Sequence, residues 1–217
     1  MKETTKQVRE TGKRIEILIA AKKLFMEKGY QNTSVRQIVK EADTSMGNLY
    51  FHFPNKMEIL KVISKEFVDI LRRQIGEIRE LGFSPEFGFA LDFRIGYITT
   101  LEDPKLSQLW CLVQNMPEIH HFSLENKKLR LQTFFGERID PEELDMMSTA
   151  VQGIADAMFR RKRNGYLAEN PVVLSNTIID YSLRLLEYPK SQIQKTIYNV
   201  ESYIEQKHIS VDAYFNF

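Results

Sequence analysis

The chain has 217 residues, 43% of them hydrophobic and 27% charged, with ten Gly and seven Pro. That is the make-up of an ordinary folded protein with room for one large domain or two smaller ones, and it excludes a disordered chain, a collagen and a low-complexity segment. The net charge of +1 hides an asymmetry: residues 1–65 hold 13 Lys and Arg against 7 Asp and Glu, so they sum to +6 and the remainder to −5, which points to a polyanion partner at the N-terminal end.

Taken in chain order, the segments read as helices. From about Val8 to Lys28, Ile17, Leu18, Ala20, Ala21, Leu24 and Phe25 fall on one stripe, and Gly29 is a suitable stop. Ser34 with Gln37 three residues on forms a capping box for a short helix whose apolar face is Val35, Ile38, Val39 and Ala42. Asp43-Thr44 makes a tight turn, Ser45 caps a third short helix, and Phe53-Pro54 ends it. Asn55 then caps a long helix with Met57, Leu60, Ile63, Phe67, Ile70 and Leu71 on its buried stripe. Ser84-Pro85, Asp103-Pro104, Asp140-Pro141 and Asn170-Pro171 repeat one start signal, a capping side chain before a proline suited to the first helical position. Stops fall at Gly82, Gly136 and Asn164-Gly165, and Ser191 opens a last helix running to about Gln206. The expectation is an all-α protein of nine or ten helices and no strand.

The second and third short helices, joined by a three- or four-residue turn, form a helix-turn-helix. A second helix of this kind lies in the DNA major groove when its outer face carries small or polar groups near its start. Ser45, Gly47 and Asn48 supply that face: Gly47 permits close approach, and the Asn48 carboxamide suits a paired contact with adenine. Leu49 and Phe53 point inward on Ile38 and Val39. Arg36 suits a phosphate or a guanine edge, Tyr50 and His52 can donate to phosphate, and Lys56 at the start of the long helix forms an anion site.

The run Ala20-Ala21-x-x-Leu24-Phe25-x-x-Lys28-Gly29-Tyr30-x-x-Thr33-Ser34-Val35-Arg36-x-Ile38 resembles the opening of the TetR (tetracycline repressor) family, as does Ser45-x-Gly47-x-Leu49-Tyr50-x-x-Phe53-Pro54-Asn55-Lys56. The resemblance covers residues 13–60. It implies a homodimeric transcription regulator, usually a repressor, with a helix-turn-helix domain over 1–54 that binds a palindromic operator in double-stranded DNA. A helical domain over 55–217 would dimerise and hold a small-molecule effector. By position the implied DNA contacts are Ser34, Arg36, Ser45, Met46, Gly47, Asn48, Tyr50, Phe51, His52 and Lys56. Met46 departs from the family's usual polar residue, and Asp43 stands where Gly is frequent but tolerates the same left-handed turn.

The C-terminal part is rich in large flexible side chains. Phe67, Phe89, Phe93, Tyr97, Trp110, Met116, Met147 and Met158, with Gln114 and His120 as orienting polar groups, make a candidate pocket for a largely apolar effector. The resemblance places a dimer interface on the helices from Asp140 to Arg163 and from Pro171 to Glu187. Ala150, Gly153, Ile154 and Ala157 give a small-residue stripe, faced by Ile178, Tyr181 and Leu185. Two further readings stand beside this one: a DNA-binding head on a protein-interaction body without effector, and a helical enzyme or metal protein.

No nucleophile elbow, phosphate-cradling glycine loop or zinc-protease motif marks a catalytic set, so no enzyme and no cofactor are expected. His120-His121 with Glu118 and Cys111 nearby lacks metal-site spacing, because adjacent helical histidines point about 100° apart. The run Arg160-Arg161-Lys162-Arg163 reads as a helix C-terminus charged to suit the dipole. Cys111 cannot form an internal disulfide, no run of about 18 apolar residues spans a membrane, and the N-terminus is polar, so the expected compartment is the cytoplasm.

Overall fold

The computed structural model describes the backbone of residues 2–207, and their side chains apart from those of residues 2–11, 113, 115, 118 and 120–123. Ten helices and no strand make up the described residues: α1 (Lys2–Lys28), α2 (Val35–Glu41), α3 (Met46–His52), α4 (Lys56–Glu80), α5 (Pro85–Glu102), α6 (Pro104–Asn115), α7 (Pro117–Phe135), α8 (Leu144–Arg163), α9 (Pro171–Leu185) and α10 (Lys190–Lys207).

Most capping signals act as the sequence suggests. Ser34 and Gln37 form the reciprocal capping box of α2. Ser45, Asn55, Asp103 and Asn170 each accept a hydrogen bond from a backbone N–H in the first turn of α3, α4, α6 and α9. Asp140-Pro141 differs. The Asp140 carboxylate closes a turn by accepting from the Glu142 N–H at 2.9 Å, and α8 begins only at Leu144. A break between α6 and α7 falls at Met116-Pro117, where the capping position holds a methionine that offers no side-chain acceptor; the usual start signal is missing there.

Two apolar cores share the molecule. The first joins Ile17, Ala21, Leu24 and Phe25 of α1, Ile38 of α2 and Leu49 of α3 to Ile59, Leu60, Ile63 and Phe67 of α4, with Leu106 and Leu109 of α6 and Ile119 of α7. The second is built on α5, in which every residue from Gly88 to Thr100 is buried, and is closed by α7, α8, α9 and α10. A helix buried on all sides has no polar face to show periodicity. The first core does not end at residue 54, because the N-terminal half of α4 completes it; Ile75 and Ile78 of the same helix enter the second core.

Two turns use left-handed backbone. Asp43, between α2 and α3, has φ +43°. Gly29 ends α1 at φ +84°, and a Cβ there would lie 2.8 Å from Gln108 Nε2 of α6. A Gly29→Ala variant is expected to lose about 1–2 kcal/mol, since an L-residue is strained in this region. Thermal unfolding should show a Tm lowered by roughly 2–8 °C.

Candidate DNA-binding surface and effector cavity

Helix α3 is anchored from below. Leu49 and Phe53 are buried in the first core together with Ile38, and Val39 packs against it. The opposite side faces outward: Ser45, Met46, Gly47, Tyr50 and Phe51 are exposed, with Tyr50 at 49% and Phe51 at 69%. A Cβ built on Gly47 would meet nothing closer than Ser45 Oγ at 4.0 Å. Ser34 and Arg36 at the start of α2 are exposed as well. An exposed cluster of Met, Tyr and Phe among polar residues is the kind of surface that marks an interaction site.

Three of the expected DNA contacts are held differently. The Lys56 ammonium donates to the Tyr30 and Thr33 carbonyl oxygens at 2.7 and 2.8 Å and sits 4.1 Å from the centre of the Tyr30 ring. Burial pulls its pKa below the ordinary lysine value. Lys56 therefore ties the start of α4 to the loop between α1 and α2. Asn48 is half-buried, and its Nδ2 donates to Thr44 Oγ1 at 2.8 Å. One amide donor is thus already committed to the turn. His52 is half-buried between the Phe51 and Phe53 rings, and its Nε2 is buried with no partner among the described residues. It faces the protein because the last turn of α3 rolls it toward Phe53.

In the body, a cavity opens between α4, α5, α6, α7 and α8. Val68, Leu71, Phe93, Tyr97, Trp110, Asn126, Lys127, Arg130, Gln152, Asp156 and Phe159 are on its wall, and the space open to the centre of a water molecule is about 40 Å³. Of the expected pocket residues, Phe93, Tyr97 and Trp110 line it. Phe67 and Phe89 are fully buried in the first and second cores, Met116 packs on the first and Met147 and Met158 on the second. Gln114 stands behind the wall, accepting from Lys127 Nζ at 3.2 Å. The His120 side chain lies outside the described residues.

The residues that sequence reasoning missed are the polar ones. On α7, Lys127 Nζ lies 3.3 Å from Asp156 Oδ2 of α8, and the Gln152 amide donates to the other oxygen at 2.6 Å. One turn further, Arg130 Nε donates to Asp92 of α5, which also accepts from Gln74 Nε2 of α4 at 2.9 Å. Burial raises the Asp92 pKa against the pull of the Arg130 guanidinium, and burial lowers that of Lys127. Charged residues at such positions normally signal a solvated face; here each is neutralised by a partner from another helix.

On the expected dimer helices, Ala150, Gly153 and Ala157 of α8 and Tyr181 and Leu185 of α9 are exposed. Met146, at 77%, and Val173 extend the same apolar surface. Ile178 is fully buried in the second core, and Ile154 packs on that core, so neither faces outward. The basic end of α8 serves its own C-terminus, with Lys162 Nζ directed at the Leu167 and Ala168 carbonyls at 3.4 Å. Cys111 is half-buried against the second core. Among the described residues no three His, Cys, Asp or Glu side chains gather as a metal site, and no helix is long and apolar enough to cross a membrane; the side chains of Glu118, His120 and His121 lie outside the described residues.

A short helix seated on a three-helix core, with its far side exposed beside Arg36, defines a helix-turn-helix DNA-binding protein. Residues 17–63 match the model of the bacterial regulatory proteins of the tetR family. Over these residues the chain is similar to that family, and curated relatives that it matches are HTH-type transcriptional regulators. The HTH-type transcriptional regulator YuxN of Bacillus subtilis is 28% identical over 135 residues, which is 58% of this chain and 46% of that one. The matched stretch thus spans less than half the length of that curated relative. In fold, the chain is similar to RolR in complex with resorcinol, with a TM-score of 0.67 and 17% identity over 88% of this chain and 95% of the other. It is also similar to FadR from Bacillus subtilis in complex with stearoyl-CoA, with a TM-score of 0.60 and 22% identity over 77% and 96%.

Proposed function

We propose that the protein is a homodimeric transcriptional repressor, acting in the cytoplasm, that holds a palindromic operator and releases it when a small molecule fills the cavity. The observation that carries this reading is that α4 belongs to both ends. Ile59, Leu60, Ile63 and Phe67 lock it to the DNA-binding core, while Val68 and Leu71 of the same helix form cavity wall. A molecule in the cavity that prefers a shifted α4 re-aims α3, and only that difference in affinity between two states moves the equilibrium. The complexes of RolR with resorcinol and of FadR with stearoyl-CoA support a ligand-responsive body. The cavity favours this reading over a body that only docks another protein.

Two copies joined through the exposed apolar faces of α8 and α9 would present two α3 helices to successive major grooves about 34–36 Å apart. Selection from random duplexes with the purified protein tests the whole reading: a palindrome of that half-site spacing is expected, and no enrichment above background refutes it. Within the selected duplex, Tyr50→Ala is expected to weaken binding to every sequence alike. Arg36→Ala, if it meets phosphate, should reduce the slope of log K against log salt by about one. Lys56→Ala, by contrast, is expected to act through the aim of α2, lowering Tm as well as affinity.

A further inference from the structure

We infer that the cavity takes a compact, neutral aromatic compound carrying at least one hydroxyl group, held by Tyr97 and Asn126. This rests on the reading that the cavity is the effector site, and it names the class of effector.

The walls set the shape. Phe93 and Tyr97 stack with ring centres 5.6 Å apart at 21°, Tyr97 meets Phe159 edge-on at 6.2 Å, and Phe159 meets Trp110 at 6.0 Å. Four rings in mixed stacked and edge-on attitudes offer both faces and edges to a further ring. About 40 Å³ of space for water centres suits a compact ligand better than a long acyl chain.

The polar groups set the chemistry. The Tyr97 hydroxyl and Asn126 Oδ1 are buried without a hydrogen-bond partner among the described residues, on side chains of residues only 8% and 4% exposed that both line the cavity. Buried polar atoms of this kind ordinarily have partners. Burial holds the Tyr97 phenol protonated, so it donates. Asn126 Oδ1 only accepts. One hydroxyl group on the ligand satisfies both, accepting from Tyr97 and donating to Asn126.

The charges set the net charge. Lys127 is matched by Asp156, and Arg130 by Asp92. Lys127, Arg130 and Asp156 are on the wall, and Asp92, buried behind it, balances Arg130. An anionic ligand would have to break one of these buried pairs to find a counter-charge, and a cationic one likewise.

The test is calorimetric titration of the full-length protein with phenol, catechol, toluene, benzoate and decanoate. Phenol and catechol are expected to bind, with toluene and benzoate at least tenfold weaker. Tyr97→Phe and Asn126→Leu should each weaken phenol roughly tenfold, as for one lost hydrogen bond, and leave toluene unchanged. Tyr97→Phe should not lower Tm, since it removes only a buried hydroxyl that has no partner among the described residues. Toluene binding as tightly as phenol, or benzoate or decanoate binding more tightly, overturns the ligand class while leaving a ligand-responsive body standing. No binding of any probe, with duplex binding intact, overturns the class and the effector reading together.

Discussion

An Asp92→Leu variant is expected to lose about 3–5 kcal/mol of folding stability, because it removes one member of a buried ion pair and strands the other. Asp92 is fully buried on α5, and its carboxylate accepts from Arg130 of α7 and Gln74 of α4. The Arg130 side chain is only 12% exposed, so water replaces the lost partner poorly. Thermal unfolding should show Tm lowered on the order of 10 °C. The double variant Asp92→Leu/Arg130→Met should recover most of that loss, since a well-packed apolar pair of similar volume is commonly no worse than an ion pair. The single variant should also bind benzoate more tightly than the native protein does, at the unpaired guanidinium. A Tm within 2 °C of the native protein's, set against roughly 10 °C expected, would show that the carboxylate holds nothing together.

The second large effect lies at the other end. Leu49 is fully buried beneath α3. Leu49→Ala is expected to cost about 2–5 kcal/mol through lost transfer energy and the cavity left behind. Only seven residues form α3, too few for a helix to persist in water without its packed face. Duplex affinity should therefore fall at denaturant concentrations where the α5-centred core remains folded. Circular dichroism and gel shift on the same samples separate the two transitions; coincident loss would mean that the cores unfold as one unit.

Much of the DNA-binding head was legible along the chain. Ser34, Gln37, Ser45 and Asn55 act within a few residues of themselves, so their caps could be read directly, and Leu49 and Phe53 follow from helical spacing. Two side chains there make contacts that the spacing did not show. Lys56 donates to the carbonyls of residues 30 and 33, far off in sequence. Asn48 was read as wholly outward because its bond to Thr44 belongs to the turn, not the helix. The effector cavity was legible only in part. Composition marked Phe93, Tyr97 and Trp110 as large apolar residues, but it marked Phe67 and Phe89 in the same way, and those two fill cores.

By itself the sequence determined an all-helical chain, most of its helix ends and a short third helix with Gly47 and Tyr50 outward, since capping and amphipathic spacing are local properties of neighbouring residues. The tertiary structure decided where the body is hollow and what charge lines it. Asp92, Arg130, Lys127 and Asp156 come from three helices and become partners only when those helices pack, and an empty space belongs to no single segment. Packing then turns four ordinary charged residues into two neutral pairs, while the Tyr97 hydroxyl and Asn126 Oδ1, both of cavity-lining residues, are left without a partner among the described residues.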